Sequence, residues 1–466
     1  MKITFHGAAG VVTGSKHLIE LNDGTKILLD CGMFQGHGKD TETLNRTWGF
    51  NPAEINCLIL SHAHVDHSGL IPRLVKDGFK GKIYATNATI DLTEILLYNS
   101  AYIQEADIIF LNKRRKKEGQ PPLEALYNEE DVKQTMSHFV SVAGSYPFPV
   151  RNDISLTFYE AGHILGSATT FLRIKENGKV TSIAFSGDVG RYGDPILRSP
   201  QSFPQADYII IESTYGNKLH QETDTYANEL KKHIKETCID KSGKLIIPAF
   251  SVGRTQEILY ALNELEINEE LPPIDYFVDS PLSIEATDVV KRHPECFNKA
   301  VIRLMKTDFD PFDFKGLHYV KDAEESKRLN DYKKPCVIIS ASGMAEAGRV
   351  KHHIANSISK KRNTILLVGY CEPESLGARL KEHPETIRIF GEVFTVRADI
   401  REIKSMSAHA DYNDLSQYLA CQYPDEVKQV FVVHGEPEVQ QEFSKRLRRK
   451  GFKDVVVPKM HEMFSL

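Results

Sequence analysis

The feature that most limits the fold is a cluster of histidines directly after an apolar segment. Residues 55–60 read INCLIL, a mostly apolar run that is typical of a strand buried on both faces of a sheet. The segment Ser61 to Gly69, SHAHVDHSG, follows at once and holds three imidazoles and one carboxylate. The chain must therefore fold so that a buried strand delivers these polar groups to one loop.

The spacing within this cluster suits metal binding. His62 and His64 are two residues apart and point the same way in an extended chain. Asp66 and His67 come where a helix is expected to begin, so one short segment can serve two adjacent metals. Zinc and similar metals accept imidazole and carboxylate ligands. The alternative is a chance cluster of surface histidines among the 18 in the chain.

One loop cannot complete two coordination spheres, so further ligands are expected at other strand ends. His163 ends FYEAGH, Asp188 ends SIAFSGD and His434 ends QVFVVH, with small residues close behind each. Each has an ordinary explanation when taken alone, as a capped or surface histidine or as an aspartate in a turn. Their occurrence together with the histidine cluster favours a metal centre built from several strand ends.

The rest of the chain reads as one α/β unit that is interrupted by a second. Helical spacing of apolar residues predicts helices over 88–104 and 129–143, and an Asn-Gly turn predicts a hairpin over 170–187. From about residue 215, helices alternate with apolar strands, which predicts βαβ units on a parallel sheet. Short strands return from about residue 387.

Composition narrows the class of protein. Of 466 residues, 41% are hydrophobic and 26% are charged, which is ordinary for a globular chain and argues against a mainly disordered one. No apolar run reaches the roughly 18 residues of a membrane span, so no membrane is expected as a partner. Seven scattered cysteines without a CxxC pair indicate reduced thiols and a cytoplasmic protein. The net charge of −5 is less basic than a nucleic-acid binder usually carries, although a cleft can have the opposite sign.

Together the motifs resemble the metallo-β-lactamase superfamily, whose hallmark is HxHxDH. Asp30 in LLDCG matches the first motif of that superfamily, residues 62–67 the second, His163 the third and Asp188 the fourth. This resemblance implies an αββα sandwich that carries the metal site.

Other segments resemble the β-CASP nuclease branch of the superfamily. Glu212 in IIESTYG, His409 in SAHAD and His434 in VVHGE are similar to its motifs A, B and C. The segments PAFSVGRTQE, VDSPLS and SASGMAEAGR are similar to its inserted domain.

The resemblance covers nearly the whole chain and implies three segments. Residues 1–214 and 387–466 would form the metallo-β-lactamase αββα sandwich, and residues 215–386 an inserted α/β domain with a parallel sheet. The active site is then expected in the cleft between the two domains.

Carried over residue by residue, the resemblance implies two zinc ions, in sites that also accept manganese. One zinc would be bound by three histidines, His62, His64 and His163. The other would be bound by an aspartate and two histidines, Asp66, His67 and His434. Asp188 would bridge both ions, and Asp30 would orient ligands from behind.

The implied activity is endonucleolytic cleavage of single-stranded RNA, with 5′-to-3′ exonuclease activity left open. Hydroxide activated by both metals would attack phosphorus, and His409 would protonate the leaving oxygen while Glu212 orients it. The products would carry 3′-hydroxyl and 5′-phosphate ends. The residues expected to act in catalysis are thus Asp30, Asp66, Glu212 and His409. A plain polar contact at the domain junction also explains the last two.

Weaker signals concern the substrate and partners. Ser342 and Gly343 precede an expected helix and Arg254 lies in SVGRTQE, so all three are expected to contact substrate phosphate. A capped strand-to-helix turn and a solvated arginine explain them as well. No GxGxxG or Walker loop occurs, so no nucleotide cofactor is expected. The resemblance is compatible with a homodimer.

Two other functions remain open at this stage. A hydrolase of small esters, thioesters or lactams could use the same metal site, but would need neither the inserted domain nor Glu212 and His409. A non-catalytic RNA-binding partner subunit would be expected to have lost metal ligands, and here the full set is present.

Overall fold

Strands rich in isoleucine, leucine and valine build the sheets of this protein. The structure is a computed structural model that describes residues 1–36, 38, 40–220, 226–369, 371–372, 374–403 and 407–466, with residues 110 and 114 described by their backbone alone. These residues divide into two units. Unit 1 comprises Met1–Leu219 and His409–Leu466, and unit 2 comprises the described part of His220–Ala408.

The first sheet of unit 1 begins antiparallel and continues parallel. From one edge to the other its strands are Met463–Ser465, Lys2–Phe5, His17–Glu20, Lys26–Leu29, Cys57–Ile59, Lys82–Ala85 and Phe139–Ser141. A strand near the start of the chain thus pairs with one near residue 466.

The second sheet of unit 1 is also mixed. Its strands, in order, are Val455–Val456, Gln429–Val432, Tyr208–Ile211, Lys179–Phe185, Ala168–Glu176, Ile154–Glu160 and Phe148–Arg151. Both sheets have apolar inner faces, and these pack against each other in one buried core, for example Ile27 and Ile59 with Leu172 and Phe431.

Helices cover the outer faces of both sheets. The helices of unit 1 are Asp40–Arg46, Val65–Ser68, Ile71–Lys76, Asn87–Lys117, Glu129–Met136, Tyr412–Tyr418 and Pro437–Arg449. Ile71 and Leu74 pack on the first sheet, and Leu415 and Phe443 pack on the second. The order of layers is therefore helix, sheet, sheet, helix, and the αββα sandwich expected from the sequence is confirmed.

Unit 2 is built on a parallel sheet, as predicted. Its strands, in order, are Leu317–Tyr319, Asp275–Val278, Cys336–Ser340, Lys244–Pro248, Thr364–Leu367 and Asp399–Glu402. A separate hairpin joins Thr386–Ile389 and Glu392–Thr395. The helices are Tyr226–Ile234 with a continuing π-turn Lys235–Asp240, then Arg254–Ile267, Pro281–Arg292, Lys299–Leu304, Ala323–Asp331, Arg349–Ser357 and Leu376–Lys381.

The local predictions are mostly confirmed. Ala168–Glu176 and Lys179–Phe185 form the expected hairpin, and the helix expected over 88–104 lies within Asn87–Lys117. The helix expected over 129–143 is too long: it ends at Met136. Phe139–Ser141 instead pairs in parallel with Lys82–Ala85, because edge pairing satisfies the backbone groups of that segment.

The boundary expected at residue 387 differs from the structure. Asp399–Glu402 pairs in parallel with Thr364–Leu367, so this strand extends the sheet of unit 2. Unit 1 resumes at His409. Among the described residues, no helix is both long and apolar enough to cross a membrane.

Candidate metal centre

The candidate ligands lie just beyond the carboxyl ends of strands in both sheets of unit 1. Asp30 follows Lys26–Leu29, and Glu212 follows Tyr208–Ile211. The other strand ends that carry candidate residues are Cys57–Ile59 before His62, Ile154–Glu160 before His163, Lys179–Phe185 before Asp188, and Gln429–Val432 before His434. Because these ends meet at one edge of the sandwich, residues far apart in sequence come together.

The first donor group consists of His62, His64 and His163. His64 Nδ1 lies 3.2 Å from His62 Nε2 and 3.2 Å from His163 Nε2. Burial and the neighbouring His67 lower the pKa of His62 well below its usual range, so its imidazole is neutral. Neutral imidazole is the form that binds a metal.

The second donor group consists of Asp66, His67 and His434. His434 Nε2 lies 3.1 Å from His67 Nε2 and 3.4 Å from Asp66 Oδ2. Asp66 and His67 are carried by the short helix Val65–Ser68, for which His64 is the N-cap residue. The helix start expected in the histidine cluster is therefore present, and the helix carries both Asp66 and His67.

Asp188 lies between the two donor groups. Its Oδ2 is 3.6 Å from His62 Nε2 and 3.6 Å from His163 Nε2. Its Oδ1 is 3.3 Å from His67 Nε2 and 3.5 Å from His434 Nδ1. Each carboxylate oxygen thus faces one donor group.

The chemistry of this cluster fits bound cations. Burial alone would raise the pKa of Asp188. The neighbouring His434, His67 and His62 together have the larger, opposite effect, so the pKa lies well below its usual range and the ionised carboxylate is favoured. Its Oδ1 is buried and accepts no hydrogen bond from the residues that the structure describes. A buried charged oxygen of this kind needs a positive partner, and a metal ion between the imidazoles supplies one. The donor atoms of His62, His64, His163 and Asp188 lie within 4.8 Å of one another, as do those of the second donor group.

Asp30 supports the cluster from behind. It is fully buried, and its Oδ2 lies 2.6 Å from His67 Nδ1. Ser61 donates to the same carboxylate twice, from its backbone N–H at 2.8 Å and from its hydroxyl at 2.8 Å. Asp30 therefore fixes the ring of His67 and the start of the histidine loop, in the manner of a carboxylate behind a metal-binding histidine.

Glu212 and His409 form a pair beside Asp188. His409 Nδ1 lies 3.4 Å from Glu212 Oε1 and 3.9 Å from Asp188 Oδ2. The Glu212 carboxylate is fully buried and accepts hydrogen bonds from the backbone N–H of Val189 at 2.7 Å and of Thr214 at 3.1 Å. These bonds hold the carboxylate in one position under the His409 ring.

The charges around His409 favour its protonated form. Burial lowers the pKa of His409, but the carboxylate of Glu212, followed by those of Asp188 and Asp66, raises it to about 9. The ring also lies close to the first donor group, with centroids of His409 and His163 4.4 Å apart. These carboxylates therefore favour a protonated imidazole at His409, next to the candidate metal ligands.

The residues expected to contact substrate phosphate, Ser342, Gly343 and Arg254, belong to unit 2. Arg254 is buried at the start of Arg254–Ile267 and pairs with Glu257, so it is not the solvated residue of the alternative explanation. A Cβ on Gly343 would lie 2.7 Å from Phe250 Cδ2, which explains a glycine there. The helix expected after this segment is Arg349–Ser357, and it begins after Ala345 and Gly348 adopt positive φ angles.

Sequence reasoning missed supporting residues that touch the cluster. The Thr214 hydroxyl lies 3.0 Å from His434 Nδ1, and Ser61 holds Asp30. Thr214 lies in the motif ESTYG and Ser61 in SHAHVDH. Their position inside these motifs could have indicated that they support the site. Lys16 is also buried, and its ammonium donates to the carbonyls of Gly14 and Gly32 at 3.0 and 2.8 Å. Nothing in its local sequence distinguishes it from a surface lysine.

Comparison with known families matches three successive parts of the chain. Residues 9–224 match the metallo-β-lactamase superfamily, residues 255–380 match the Beta-Casp domain, and residues 394–458 match the Zn-dependent metallo-hydrolase RNA specificity domain.

Curated relatives are similar over most of their length. A ribonuclease of Thermus thermophilus is 33% identical over 452 residues, which is 97% of each chain. An RNase J-like protein of Methanocaldococcus jannaschii is 32% identical over 437 residues, covering 93% of this chain and 92% of the relative. A transcription termination factor of the same organism is 29% identical and is covered over 70% of its length.

Proposed function

The chain belongs to the β-CASP branch of the metallo-β-lactamase superfamily, and on that premise we propose that it is a metal-dependent endoribonuclease. The proposed reaction is hydrolysis of a phosphodiester bond in single-stranded RNA, giving 3′-hydroxyl and 5′-phosphate ends. The proposal includes two zinc ions per chain, with manganese as a compatible metal.

One observation carries the proposal: Asp188 faces both donor groups while the Glu212–His409 pair stands beside it. Ion binding needs only the donor groups and Asp188. A protonated imidazole held next to them by a buried carboxylate has no role in binding ions, but it is what a leaving alkoxide requires. This combination favours hydrolysis with assisted departure of the leaving group over metal storage.

The proposed division of labour follows from the contacts. His62, His64 and His163 would hold one ion, Asp66, His67 and His434 the other, and Asp188 both. Zinc bound there would supply Lewis acidity that activates water near neutral pH and offsets charge on a phosphate. Asp30 keeps the ring of His67 in place through Nδ1, which leaves Nε2 for the ion.

The acid–base step is assigned to His409. Because its Nδ1 faces Glu212, its Nε2 is the nitrogen that would pass a proton to the leaving ribose oxygen. Glu212 keeps the imidazole protonated before the bond breaks. The backbone N–H groups of Val189 and Thr214 hold the carboxylate of Glu212 in place when the ring of His409 moves. The proton donor is thus charged and oriented before the substrate arrives.

The choice of RNA as substrate rests on the relatives and on the family. The similar protein of Thermus thermophilus is named a ribonuclease, and the match over residues 394–458 is to a domain described by RNA specificity. Ser342, Gly343 and Arg254 remain proposed contacts to RNA phosphates. A cytoplasmic location and a role in RNA processing or decay complete the proposal.

The test is a cleavage assay with mapped product ends. Protein loaded with zinc is incubated with internally labelled single-stranded RNA, with DNA of the same sequence, and with a small thioester. We expect cuts in RNA that leave 5′-phosphate ends, and no comparable turnover of the DNA or the thioester.

His409→Ala is the matched control, because it should keep both metals and lose most of the cleavage. RNA left intact by wild-type protein that holds two metals would refute the proposal. Thioester hydrolysis that survives in His409→Ala would assign the site to small-molecule chemistry.

A further inference from the structure

Lys16 is a buried cation that is held by carbonyl oxygens and an aromatic ring. Only 1% of its surface is exposed. Its ammonium donates to the carbonyl oxygen of Gly14 at 3.0 Å and to that of Gly32 at 2.8 Å. The same nitrogen lies 4.2 Å from the centroid of the Phe34 ring, at the distance of a cation over an aromatic face. Both glycine carbonyls are thus bound by one side chain.

A charge at this position costs free energy. Burial lowers the pKa of Lys16 to about 8, so the amine is still protonated at neutral pH. In the part of the chain that the structure describes, no carboxylate lies within ion-pair distance of it. Lysine is almost never fully buried without such a partner, and an apolar side chain of similar volume would avoid the cost. The two carbonyl groups that the ammonium binds therefore indicate its role.

Gly14 and Gly32 belong to two segments that meet beside the candidate ligand Asp66. The backbone N–H of Ser15 donates to the carbonyl of Asp66 at 2.8 Å, and the N–H of Gly32 donates to the carbonyl of Ser15 at 2.9 Å. A Cβ on Gly32 would lie 1.6 Å from the carbonyl oxygen of Asp66, so the backbones of these two residues are in direct contact. Lys16 therefore links the two segments where they hold Asp66.

The residues on either side of Gly32 hold the rest of the ligand helix Val65–Ser68. The N–H of Cys31 donates to the carbonyl of His67 at 2.7 Å, and the N–H of Met33 donates to the carbonyl of the first helical residue at 2.9 Å. A helix of four residues has too few internal hydrogen bonds to be stable alone. These outside contacts therefore decide where the ligands of the helix lie.

We propose that Lys16 is a positioning residue of the second donor group, whose ammonium ties the two segments together and so keeps Asp66 and His67 where they bind a cation. It acts through the backbone, because it binds main-chain carbonyls. A charged donor binds such oxygens about twice as strongly as a neutral one, which explains why the charge is kept. The inference rests on the two-ion centre of the proposed function, but not on its substrate.

The test is a zinc titration of the metal-free protein that resolves two binding steps. Lys16→Met keeps the length of the side chain but removes its charge and its donors. The affinity of the second donor group should fall by about 10–100-fold, the usual effect of losing a residue that supports a ligand, while the first donor group keeps its wild-type affinity. Lys16→Arg keeps charge and donors and should restore most of the loss. Lys16→Gln keeps donors alone and should be intermediate.

Lys244 provides a matched control, because it is another buried lysine with the same kind of contacts. Its ammonium donates to the carbonyl of Leu329 at 2.6 Å and to that of Asn330 at 3.1 Å. All three residues belong to unit 2, which carries none of the candidate metal ligands. Lys244→Met removes a buried ammonium in the same way, so both zinc affinities should stay at their wild-type values.

A double variant assigns the weakened step to the second donor group. Asp66→Asn removes a ligand from that group only. If Lys16 acts by holding this ligand and its neighbour in place, its loss matters less once the ligand is gone. Lys16→Met and Asp66→Asn together should therefore weaken the second step by less than the product of their separate effects.

Unchanged affinity at both steps in Lys16→Met would overturn the proposal, and so would equal weakening of both steps. Thermal unfolding of each metal-free variant shows whether it is folded. If Lys16→Met does not fold, Lys16→Gln decides in its place, with the same selective loss expected. Wild-type protein that binds a single zinc ion would overturn this inference together with the two-ion centre. Two bound ions without RNA cleavage would contradict the proposed activity alone, since the titration still decides the role of Lys16.

Discussion

The carboxylate of Asp30 lies 2.6 Å from Nδ1 of His67, and both side chains are buried. Burial lowers the pKa of His67, but Asp188 and Asp30 raise it well above its usual range. The contact fixes which ring nitrogen of His67 is turned towards the donor groups. A buried carboxylate therefore controls a residue of the candidate metal centre without itself facing the other ligands.

Asp30→Asn should weaken metal binding at the second donor group by about 10–100-fold while leaving the first unaffected. The amide keeps the shape of the side chain, but it removes the negative charge behind His67. Titration of the metal-free protein with zinc should then show one wild-type affinity and one reduced affinity. Ser15→Ala, which removes a 3.5 Å hydroxyl contact to Asp30 and no charge, is the control. Equal weakening of both sites would contradict this role of Asp30.

Replacing Asp188 should have a larger effect on metal content than replacing Asp66. Asp188→Asn removes the charge that faces both donor groups, so purified protein should contain no stoichiometric metal. Asp66→Asn removes a ligand from the second donor group only, and about half of the metal should remain. Elemental analysis by mass spectrometry measures both. Full metal content in Asp188→Asn would show that this residue does not bridge the ions.

His409→Ala should keep the metal content of wild type and reduce turnover of RNA by about 10²–10⁴-fold, the usual contribution of general acid catalysis. The ring lies beside the donor groups, but its Nδ1 is directed to Glu212. Metal analysis and single-turnover cleavage on the same sample separate the two effects. Loss of metal from this variant would make His409 a ligand and would refute its assignment as the acid.

Glu212→Gln should shift the alkaline limit of activity to lower pH. The acid must be protonated to act, so activity falls as the pH rises through the pKa of His409, which the structure places at about 9. Without the negative charge of Glu212 that pKa falls, by about 1–3 units for a contact of this kind. The pH profile of the cleavage step is the measurement. An unchanged alkaline limb, with turnover reduced at every pH, would show that Glu212 only positions the ring.

Gly32→Ala should destabilise unit 1 and impair the second donor group. A Cβ at Gly32 would lie 1.6 Å from the carbonyl oxygen of Asp66, so the turn that carries Asp66 would have to move. We expect a loss of about 3–5 kcal/mol in the free energy of unfolding, because the obstacle is backbone. Thermal unfolding provides the measurement. Gly144→Ala is the control, since its Cβ would be 3.7 Å from the nearest atom and should leave the midpoint unchanged.

The candidate ligands could be found from the sequence because they stand at strand ends. An apolar run that stops at a polar residue marks the point where a strand leaves the core, and His163, Asp188 and His434 all have this pattern. These residues are far apart in the sequence, but the strand ends that carry them meet at one edge of the sandwich. The parallel sheet of unit 2 was predicted from apolar runs that alternate with helices, whereas the αββα layers were implied by the family resemblance.

Other features of the fold depend on strand pairing and side-chain packing between distant segments, which the local sequence pattern does not indicate. Asp399–Glu402 reads DIRE, with one apolar residue, and becomes a strand because Thr364–Leu367 offers it a free edge. The segment Phe139–Ser141 keeps helical spacing but pairs with a neighbouring strand instead. Lys16 is buried because Gly14 and Gly32 present their carbonyls to it, which only the folded chain reveals.

The order of residues along the chain has a consequence for biosynthesis. The second donor group combines Asp66 and His67 with His434, and His409, the proposed acid, comes after the whole of unit 2. A ribosome must therefore translate past residue 434 before any copy of the protein can assemble the full set of ligands. A nascent chain that stops short of His434 therefore lacks one ligand of the second donor group.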